Sequence, residues 1–470
     1  MRKKWIAIIL AGLIACGFTA CGSNDSAQNS DTNSKNVSTE GNVNQSTHKS
    51  NNGSSEGALT SLIQQTGLFY RYCSTEDGFY YLTENDSPLE DGSYAPHLMY
   101  MDYAAHKEIY LCSDSSCRHN TEACTSVLSG ASSDSRIFIW DGHLYVLDRP
   151  TDNSGATVIN IVGDSEAAGA EAEQAELYRM NLDGSERKLV YRFDANATVE
   201  DVALGGDNGL YFVTKKLGSS KSGSGNYITT SDRQLICLNS DSGKTKQICS
   251  LDFSDGLSWE IIGTAQDKLI IKTYRYPDGM TDEKASTLDD SSYHDVLKKS
   301  RIVYAALDPS DGKKVEFYSQ SAADNSSAEE VLNGYLYASN ESSQDVMKID
   351  PATGEKSSLC SLENNYIYGS LGKYLCCTCQ DLTADYGYYL IDSETGKVTH
   401  CSLTNKALGW RIDLMAMAGD RALVVYDYEY ESTVDGSYDI TKYQYGLIPF
   451  KDLLNSVSNY TPIEMVGEGI

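Results

Sequence analysis

The stretch DGHLYVLD at residues 141–148 contains the pattern that decides the fold, a polar turn followed by an aromatic-rich strand. An Asx side chain can close such a turn on its own backbone, and Gly accepts the positive φ that many turns require. The pattern recurs in copies of different strength: DGFYYLT from Asp77, DNGLYFVT from Asp207, NGYLYAS from Asn333, DKLIIKTY from Asp267, GKYLCCTC from Gly372 and GDRALVVY from Gly419. This recurrence predicts an architecture built from repeats.

A second hairpin with a polar turn follows most copies of the first. Its turn contains a glycine in one register, at Gly243, Gly312, Gly354 and Gly396, and one residue earlier at Gly184. Each unit therefore consists of four antiparallel strands, which we call A to D in chain order. We count seven units, with approximate spans 67–112, 135–193, 197–250, 258–319, 328–360, 366–402 and 411–467.

Radial repetition of four-stranded antiparallel sheets is typical of a β-propeller. The sequence predicts an all-β fold with a single β-propeller of seven four-stranded blades, over residues 58–470. Six or eight blades and tandem β-sandwiches are the alternatives. Tandem sandwiches would not require the second hairpin to recur in register, so its recurrence favours the propeller.

The first 21 residues have the pattern of an export signal: positive charges, an apolar run and small residues before Cys21. The segment that ends at Cys21 resembles the lipobox of bacterial lipoproteins, and this resemblance implies that Cys21 receives diacylglycerol. The segment 13–16 fits a lipobox more literally, which makes Cys16 the competing site, although cleavage there would leave a very short h-region. An uncleaved anchor is the remaining alternative, but the apolar run is short for a bilayer. We expect a lipid-anchored protein at the cell membrane that faces the extracytoplasmic side.

Residues 22–57 form a segment rich in Ser, Asn, Gly and Thr and nearly free of apolar side chains. Such a composition cannot bury enough surface to fold, so we expect a disordered stalk. The net charge of −28 argues against nucleic acid as a partner. The membrane, reached through the lipid anchor, and an unknown protein or glycan are the partners that we expect.

The long connections of the predicted blades fall almost entirely between strands B and C or between D and the next A. In a four-stranded meander these connections share one face, and long loops on a rigid scaffold commonly bind ligands. Aromatic side chains in or beside these loops are the candidate binding face: Tyr227, Tyr274, Tyr276, Tyr293, Trp410, Tyr428, Tyr430 and Tyr438. They offer a wide contact surface at low entropic cost, but each can equally cover a blade edge.

Cys112, Cys117, His119 and Cys124 lie together in a polar loop with the spacing C-x4-C-x-H-x4-C. Three thiolates and an imidazole are a sufficient ligand set for tetrahedral Zn²⁺, so the loop is a candidate structural zinc site. A local disulfide with a free thiol, or a metal-free turn, are the alternatives. The other cysteines fall mostly in predicted strands, where we expect them to be core: Cys73, Cys237, Cys249, Cys360, Cys376, Cys377, Cys379 and Cys401.

Blade 2 resembles a blade of the low-density-lipoprotein-receptor type, because Tyr145 and Asp148 match the first and last positions of its Tyr-Trp-Thr-Asp signature. The whole chain, with lipobox, stalk and Tyr-rich blades, resembles uncharacterised propeller lipoproteins of anaerobic Gram-positive bacteria. This resemblance extends to the Cys/His loop. It implies the fold and brings no established reaction.

The sequence contains no Gly-rich phosphate loop, nucleophile elbow, H-E-x-x-H motif or EF-hand loop. We therefore expect a binding or scaffolding module for a protein, peptide or glycan rather than an enzyme. A glycan-active hydrolase or lyase is one alternative, and it would require two carboxylates that converge at the central axis. A structural accessory subunit of a cell-envelope complex is the other. Beyond the candidate zinc, the sequence indicates no cofactor.

Overall fold

The computed structural model describes residues 71–83, 87–131, 135–148, 174–194, 197–203, 209–221, 227–251, 256–285, 287–322, 328–339, 345–362, 365–379, 387–432 and 438–467. The predicted export signal with Cys16 and Cys21, and the predicted stalk, lie outside these residues. No helix within the described ranges is long and apolar enough to cross a membrane.

The described chain forms seven four-stranded antiparallel sheets, each built from four strands in A-B-C-D order. The strands, blade by blade, are Tyr72–Ser74, Gly78–Leu82, Leu98–Asp102 and Lys107–Tyr110; Arg136–Trp140, His143–Asp148, Glu176–Asn181 and Lys188–Arg192; Ala197–Ala203, Leu210–Lys221, Tyr227–Asn239 and Lys244–Ser250; Gly256–Ala265, Lys268–Arg275, Arg301–Leu307 and Lys314–Ser321; Ala328–Leu332, Tyr335–Ser339, Asp345–Ile349 and Lys356–Ser361; Asn365–Leu371, Tyr374–Cys379, Tyr388–Asp392 and Val398–Cys401; Asp413–Ala418, Arg421–Ser432, Tyr438–Pro449 and Thr461–Pro462. The prediction of an all-β propeller with seven blades is confirmed.

Three short helices interrupt the β-structure of the described chain. Helices α1 (Asp282–Ala285) and α2 (Asp290–Lys299) lie in the B–C connection of blade 4. Helix α3 (Phe450–Leu454) lies in the C–D connection of blade 7, where we had expected a short turn like those of the other blades.

Both faces of every blade pack against a neighbouring blade. Seven hydrophobic clusters of described residues each combine two consecutive blades, and one of them joins blade 7 to blade 1. On strand B of blade 2, Leu144 belongs to the cluster with blade 1 and its neighbour Tyr145 to the cluster with blade 3. Successive side chains of a strand point to opposite faces, so a strand buried on both sides has an unbroken apolar run. This explains why the repeated motif lacks the usual polar alternation.

The recurring glycine of the C–D turn has a conformational cause. Its φ is positive, for example +73° at Gly354 and +76° at Gly312. The Gly354 N–H donates to the carbonyl of Asp350, four residues earlier, at 2.8 Å. The Gly184 N–H instead bonds the carbonyl of Asn181, three residues earlier, at 2.9 Å. The one-residue offset seen in the sequence therefore reflects a shorter turn of the same kind.

The same glycine also packs against the preceding blade. A Cβ atom at Gly354 would lie 2.7 Å from the carbonyl oxygen of Phe317, which is on strand D of blade 4. A Cβ atom at Gly184 would lie 2.6 Å from the carbonyl oxygen of Leu111, which follows strand D of blade 1. The C–D turns of blades 2 and 5 therefore sit directly on strand D of the blade before them, where only glycine fits.

The ring closes where residues 464–467 run beside strand D of blade 1. Lys107 and Glu464 form a parallel bridge, and the Glu108 N–H donates to the carbonyl of Glu464 at 2.9 Å. The Glu108 side chain is fully buried and accepts hydrogen bonds from Tyr81 Oη and from the N–H groups of Val466 and Gly467. We call this arrangement the Glu108 clasp.

Candidate metal centre and loop face

Most of the long connections in the described chain lie on one face of the blades. The B–C hairpin of blade 7 is paired as far as Ser432 and Tyr438, whereas strand A pairs with it only from Asp413, opposite Val425. The B–C hairpin of blade 3 likewise reaches Lys221 and Tyr227, beyond the end of its strand A pairing at Lys216. The B–C connection of blade 4 contains α1 and α2, and that of blade 1 contains the two-stranded sheet Ser87–Pro88 and Tyr94–Ala95. We call this side the loop face.

The structure separates the predicted aromatic residues into several environments. Tyr430 is exposed on the blade 7 hairpin, with 37% of its surface accessible. The residues that are half-buried are Tyr274, Tyr276, Tyr293 and Trp410. Tyr227 and Tyr438 lie in described strands, but their side chains are outside the described set. Tyr94, at 63% exposure, is the most accessible of the large apolar side chains described.

Tyr428 does not offer the open surface that we expected, because it is only 7% exposed. Its hydroxyl donates to Asp413 Oδ2 at 2.5 Å, and its ring packs edge-on against Trp410 and Tyr443. Burial raises the pKa of the Asp413 carboxyl, against the opposing effects of the Tyr428 hydrogen bond and the Arg411 charge. Tyr428 thus anchors the base of the hairpin that carries Tyr430.

Sequence reasoning missed Arg411, which lies next to Trp410 in the connection between blades 6 and 7. Its guanidinium lies 5.3 Å from the Tyr368 ring centroid and 5.2 Å from that of Tyr388, and it donates to Thr378 Oγ1 at 2.9 Å. Cation–π contacts of this kind hold a cation among aromatic rings. No periodicity signals it, because its partners come from another blade.

Two carboxylates on strand A of blade 5, the innermost strand of the blade, contact neighbouring blades. Glu329 forms an ion pair with Lys272 of blade 4, and both side chains are largely buried. The next residue, Glu330, accepts a hydrogen bond at 2.8 Å from Ser370 on the inner strand of blade 6. These two side chains therefore link blades 4, 5 and 6 through polar contacts.

The structure brings the Cys/His loop together as a compact cluster. One ligand atom from each of Cys112, Cys117, His119 and Cys124 lies within 4.8 Å of the others. His119 Nδ1 is 3.4 Å from Cys124 Sγ, and the His119 N–H donates to Cys117 Sγ at 3.3 Å. All three thiols are free. The side chains of this loop pack against a small group of buried apolar residues that includes Leu89 and Val127.

Local turns explain why this polar loop folds back on itself. Asp114 Oδ1 accepts hydrogen bonds from the N–H of Ser116 at 2.8 Å and from its hydroxyl at 2.7 Å, and the Cys117 N–H donates to the Asp114 carbonyl. His119 adopts a positive φ of 57°, which reverses the chain between Cys117 and Cys124. The turn chemistry therefore aims the side chains of the loop at a common point.

The His119 ring is held in place by residues outside the cluster. It stacks on Tyr110, with ring centroids 4.3 Å apart and an interplanar angle of 17°. The His119 carbonyl oxygen lies 2.6 Å from Nε2 of His97, a buried residue that the sequence did not single out. Burial, followed by the charge of His97, lowers the pKa of His119. The neutral imidazole, which is the form that binds metals, is therefore favoured.

The cysteines predicted to lie in strands are mostly in the core. The buried thiols are Cys237, Cys376, Cys377 and Cys401, while Cys73, Cys249 and Cys360 are half-buried. The side chain of Cys379 is outside the described set. Burial raises the pKa of the Cys377 and Cys376 thiols, so these thiols stay protonated and behave as small hydrophobic groups.

No model of a known protein family and no curated protein sequence matches this chain. Among solved structures, an oligogalacturonate lyase in complex with manganese is 12% identical, with 81% of this chain and 89% of that chain covered and a TM-score of 0.39. Sqt1 from Saccharomyces cerevisiae is 11% identical, with 89% and 90% covered and a TM-score of 0.41. A nidogen/laminin complex is 10% identical, with 68% and 91% covered and a TM-score of 0.29. These similarities carry no argument about what this chain binds or catalyses.

Proposed function

We propose that this protein is a lipid-anchored, extracytoplasmic binding module that holds a protein, peptide or glycan on its loop face. The observation that carries the proposal is the concentration of long connections on that face, with the hairpins of blades 3 and 7 extending past their inner strands. Elaborated loops on a rigid scaffold are where binding residues are usually found.

The exposed part of the blade 7 hairpin supplies suitable contact chemistry. Tyr430 lies between the exposed side chains of Glu429 and Glu431, and Glu429 is paired across the hairpin with Lys442. The hairpin thus presents an aromatic ring on one side and carboxylates on the other, which offers apolar contact and hydrogen-bond acceptors suited to cationic peptides and the hydroxyl groups of sugars. The buried bond between Tyr428 and Asp413 holds the base of this hairpin rigid, which lowers the entropic cost of binding.

The test uses the full chain, purified from membranes in detergent, on a glycan array and in cross-linking pull-downs. The variant Tyr430→Ser alters the loop face, and Val457→Ser is the matched control because Val457 is an exposed apolar residue in the C–D connection of blade 7, on the opposite face. We expect retention of the captured ligand to fall about tenfold in Tyr430→Ser, which corresponds to about 1.4 kcal/mol, and to be unchanged in Val457→Ser. The reverse pattern, or no captured ligand, contradicts the proposal.

The anchor is tested separately, because a binding module can exist without one. We expect Cys21→Ser to release the protein from the membrane and to abolish the lipid mass on the mature N-terminus, while Cys16→Ser leaves both unchanged. Release by Cys16→Ser alone would make Cys16 the modified residue. Retention of both variants at the membrane would contradict lipid anchoring.

A further inference from the structure

We propose that Cys112, Cys117, His119 and Cys124 bind one zinc ion in a closed structural site. This inference is independent of the binding function proposed above, because it concerns the junction between blades 1 and 2 and requires no ligand on the loop face.

The spacing of the ligand atoms fits a tetrahedral zinc ion. With Zn–S bonds of about 2.3 Å and a Zn–N bond of about 2.0 Å, a regular tetrahedron has S–N edges of about 3.5 Å and S–S edges of about 3.8 Å. The distance from His119 Nδ1 to Cys124 Sγ is 3.4 Å, and all four ligand atoms lie within 4.8 Å of one another. Shortening the longest of these separations by about 1 Å would therefore bring the ligand atoms to tetrahedral spacing.

The chemistry of the donor set selects zinc and a structural role. Thiolates with an imidazole are soft-to-borderline ligands, which suit Zn²⁺ and exclude Ca²⁺ and Mg²⁺. Four protein ligands complete the coordination shell, so no position is left for a water molecule or substrate. A disulfide would use only two of the three thiols in the cluster, and would leave the third thiol and the imidazole beside it without a function.

Groups around the cluster are placed as outer partners of metal ligands. The His119 N–H contacts Cys117 Sγ at 3.3 Å, and the Ser126 hydroxyl contacts Cys124 Sγ at 3.1 Å. Hydrogen bonds to ligand sulfur atoms stabilise their negative charge, and stacking on Tyr110 fixes the plane of the imidazole. The cluster therefore has the supporting contacts that an accidental group of thiols lacks.

The position of the loop indicates what the zinc ion stabilises. The loop is bonded to blade 1 through Leu98 N–H to Ser126 O at 2.7 Å and Glu90 N–H to Asn120 O at 2.8 Å. It is bonded to blade 2 through Arg187 Nη1, which donates to Val127 O at 2.7 Å. The segment that contains the site has few apolar side chains of its own, so metal binding would supply the energy that fixes it between the two blades.

The experiment measures metal content, thiols and stability of the full chain purified without added metal or chelator. We expect one zinc ion per chain in the wild type, by elemental mass spectrometry, and loss of this zinc in Cys117→Ser. Cys249→Ser is the matched control, because Cys249 is a half-buried thiol on strand D of blade 3, and it should retain the zinc. A chelator should lower the Tm of the wild type and leave that of Cys117→Ser unchanged.

A second measurement on the wild type covers the case in which Cys117→Ser does not fold. X-ray absorption at the zinc edge should show three sulfur neighbours and one nitrogen neighbour at tetrahedral distances. Wild-type protein without metal and with two of the three loop thiols unreactive would show a disulfide and overturn the proposal. Zinc retained at the wild-type level in folded Cys117→Ser, or a different metal in the wild type, would overturn it as well.

Discussion

The carboxylate of Glu108 accepts a hydrogen bond at 2.6 Å from the N–H of Gly467, which lies 359 positions later in the chain. The Val466 N–H donates to the same oxygen at 2.6 Å, and Tyr81 donates to the other. Blade 7 is complete at Pro462, so the residues that follow it do not extend their own blade but bind the outer strand of blade 1. Ring closure is therefore stabilised by these hydrogen bonds in addition to the apolar cluster shared by blades 7 and 1.

Removing the carboxylate of the Glu108 clasp should destabilise the whole propeller. In Glu108→Ala, three donors lose their acceptor, among them the buried Tyr81 hydroxyl, and we expect the free energy of unfolding to fall by about 2–4 kcal/mol. The control is Glu464→Ala, which removes only an exposed ion pair with Lys107 and should change the free energy by less than about 0.5 kcal/mol. Urea denaturation measures both. Equal effects of the two variants would show that the Glu108 carboxylate does not stabilise the closed ring.

Substitution of a C–D turn glycine should lower the free energy of unfolding much more than substitution of a turn glycine that contacts no other blade. Gly354→Ala combines a positive φ with a Cβ contact to Phe317 O, and we expect a loss of about 2–4 kcal/mol. Gly279 also has a positive φ but nothing within 4 Å of its Cβ position, so Gly279→Ala should lose only about 1 kcal/mol. Thermal unfolding of both variants decides whether the contact between blades matters.

Asp392 should contribute a stability that is lost in acid. The hydrogen-bonded ion pair with Lys373, at 2.8 Å, lowers the pKa of the Asp392 carboxyl to about 2. A lowered pKa in the folded state means that the contribution is present above the ordinary Asp pKa and disappears as the pH falls through about 2. Lys373 is 43% exposed, so solvent screening limits the contribution to on the order of 1 kcal/mol.

The comparison for Asp392 is with Asp392→Asn, which keeps the turn acceptor for the Thr395 N–H but loses the charge. The difference in free energy of unfolding between the two proteins should be largest near neutral pH and should shrink steadily in acid. A difference that does not change with pH would mean that the charge of Asp392 contributes nothing.

The contribution of Asp413 to stability should change with pH in the opposite direction. Burial raises its pKa, so the wild type is favoured while this carboxyl is protonated and loses stability as the pH rises through the raised pKa. Asp413→Asn keeps an acceptor for Tyr428 and cannot ionise. We expect this variant to gain stability over the wild type as the pH rises from the ordinary Asp range to neutrality. Denaturation at several pH values tests this, and a variant that is less stable by the same amount at every pH would contradict it.

The sequence predicted the blades well because their signals are local. The offset between a turn Asx and Gly354 or Gly184 is set within a few residues, and the cluster of Cys112 with Cys124 lies within one loop. The sequence did not reveal that Tyr428 is buried, because its burial depends on a contact with Asp413 on another strand. Glu108 and Arg411 gave no signal at all, since their partners come from distant parts of the chain. Polar contacts between blades are long-range, and neither composition nor periodicity records them.

The Glu108 clasp has a consequence for how the protein is made. Strand D of blade 1 is synthesised early, yet its buried carboxylate has no complete set of partners until residue 467 exists. Blades 1 to 6 can form pairwise contacts as they emerge, but blade 1 keeps an open edge throughout synthesis. Ring closure therefore waits until residues 464–467 have been synthesised. A polypeptide that stops short of this segment would lack two of the three donors to Glu108 and would have an unpaired strand edge on blade 1, which favours aggregation.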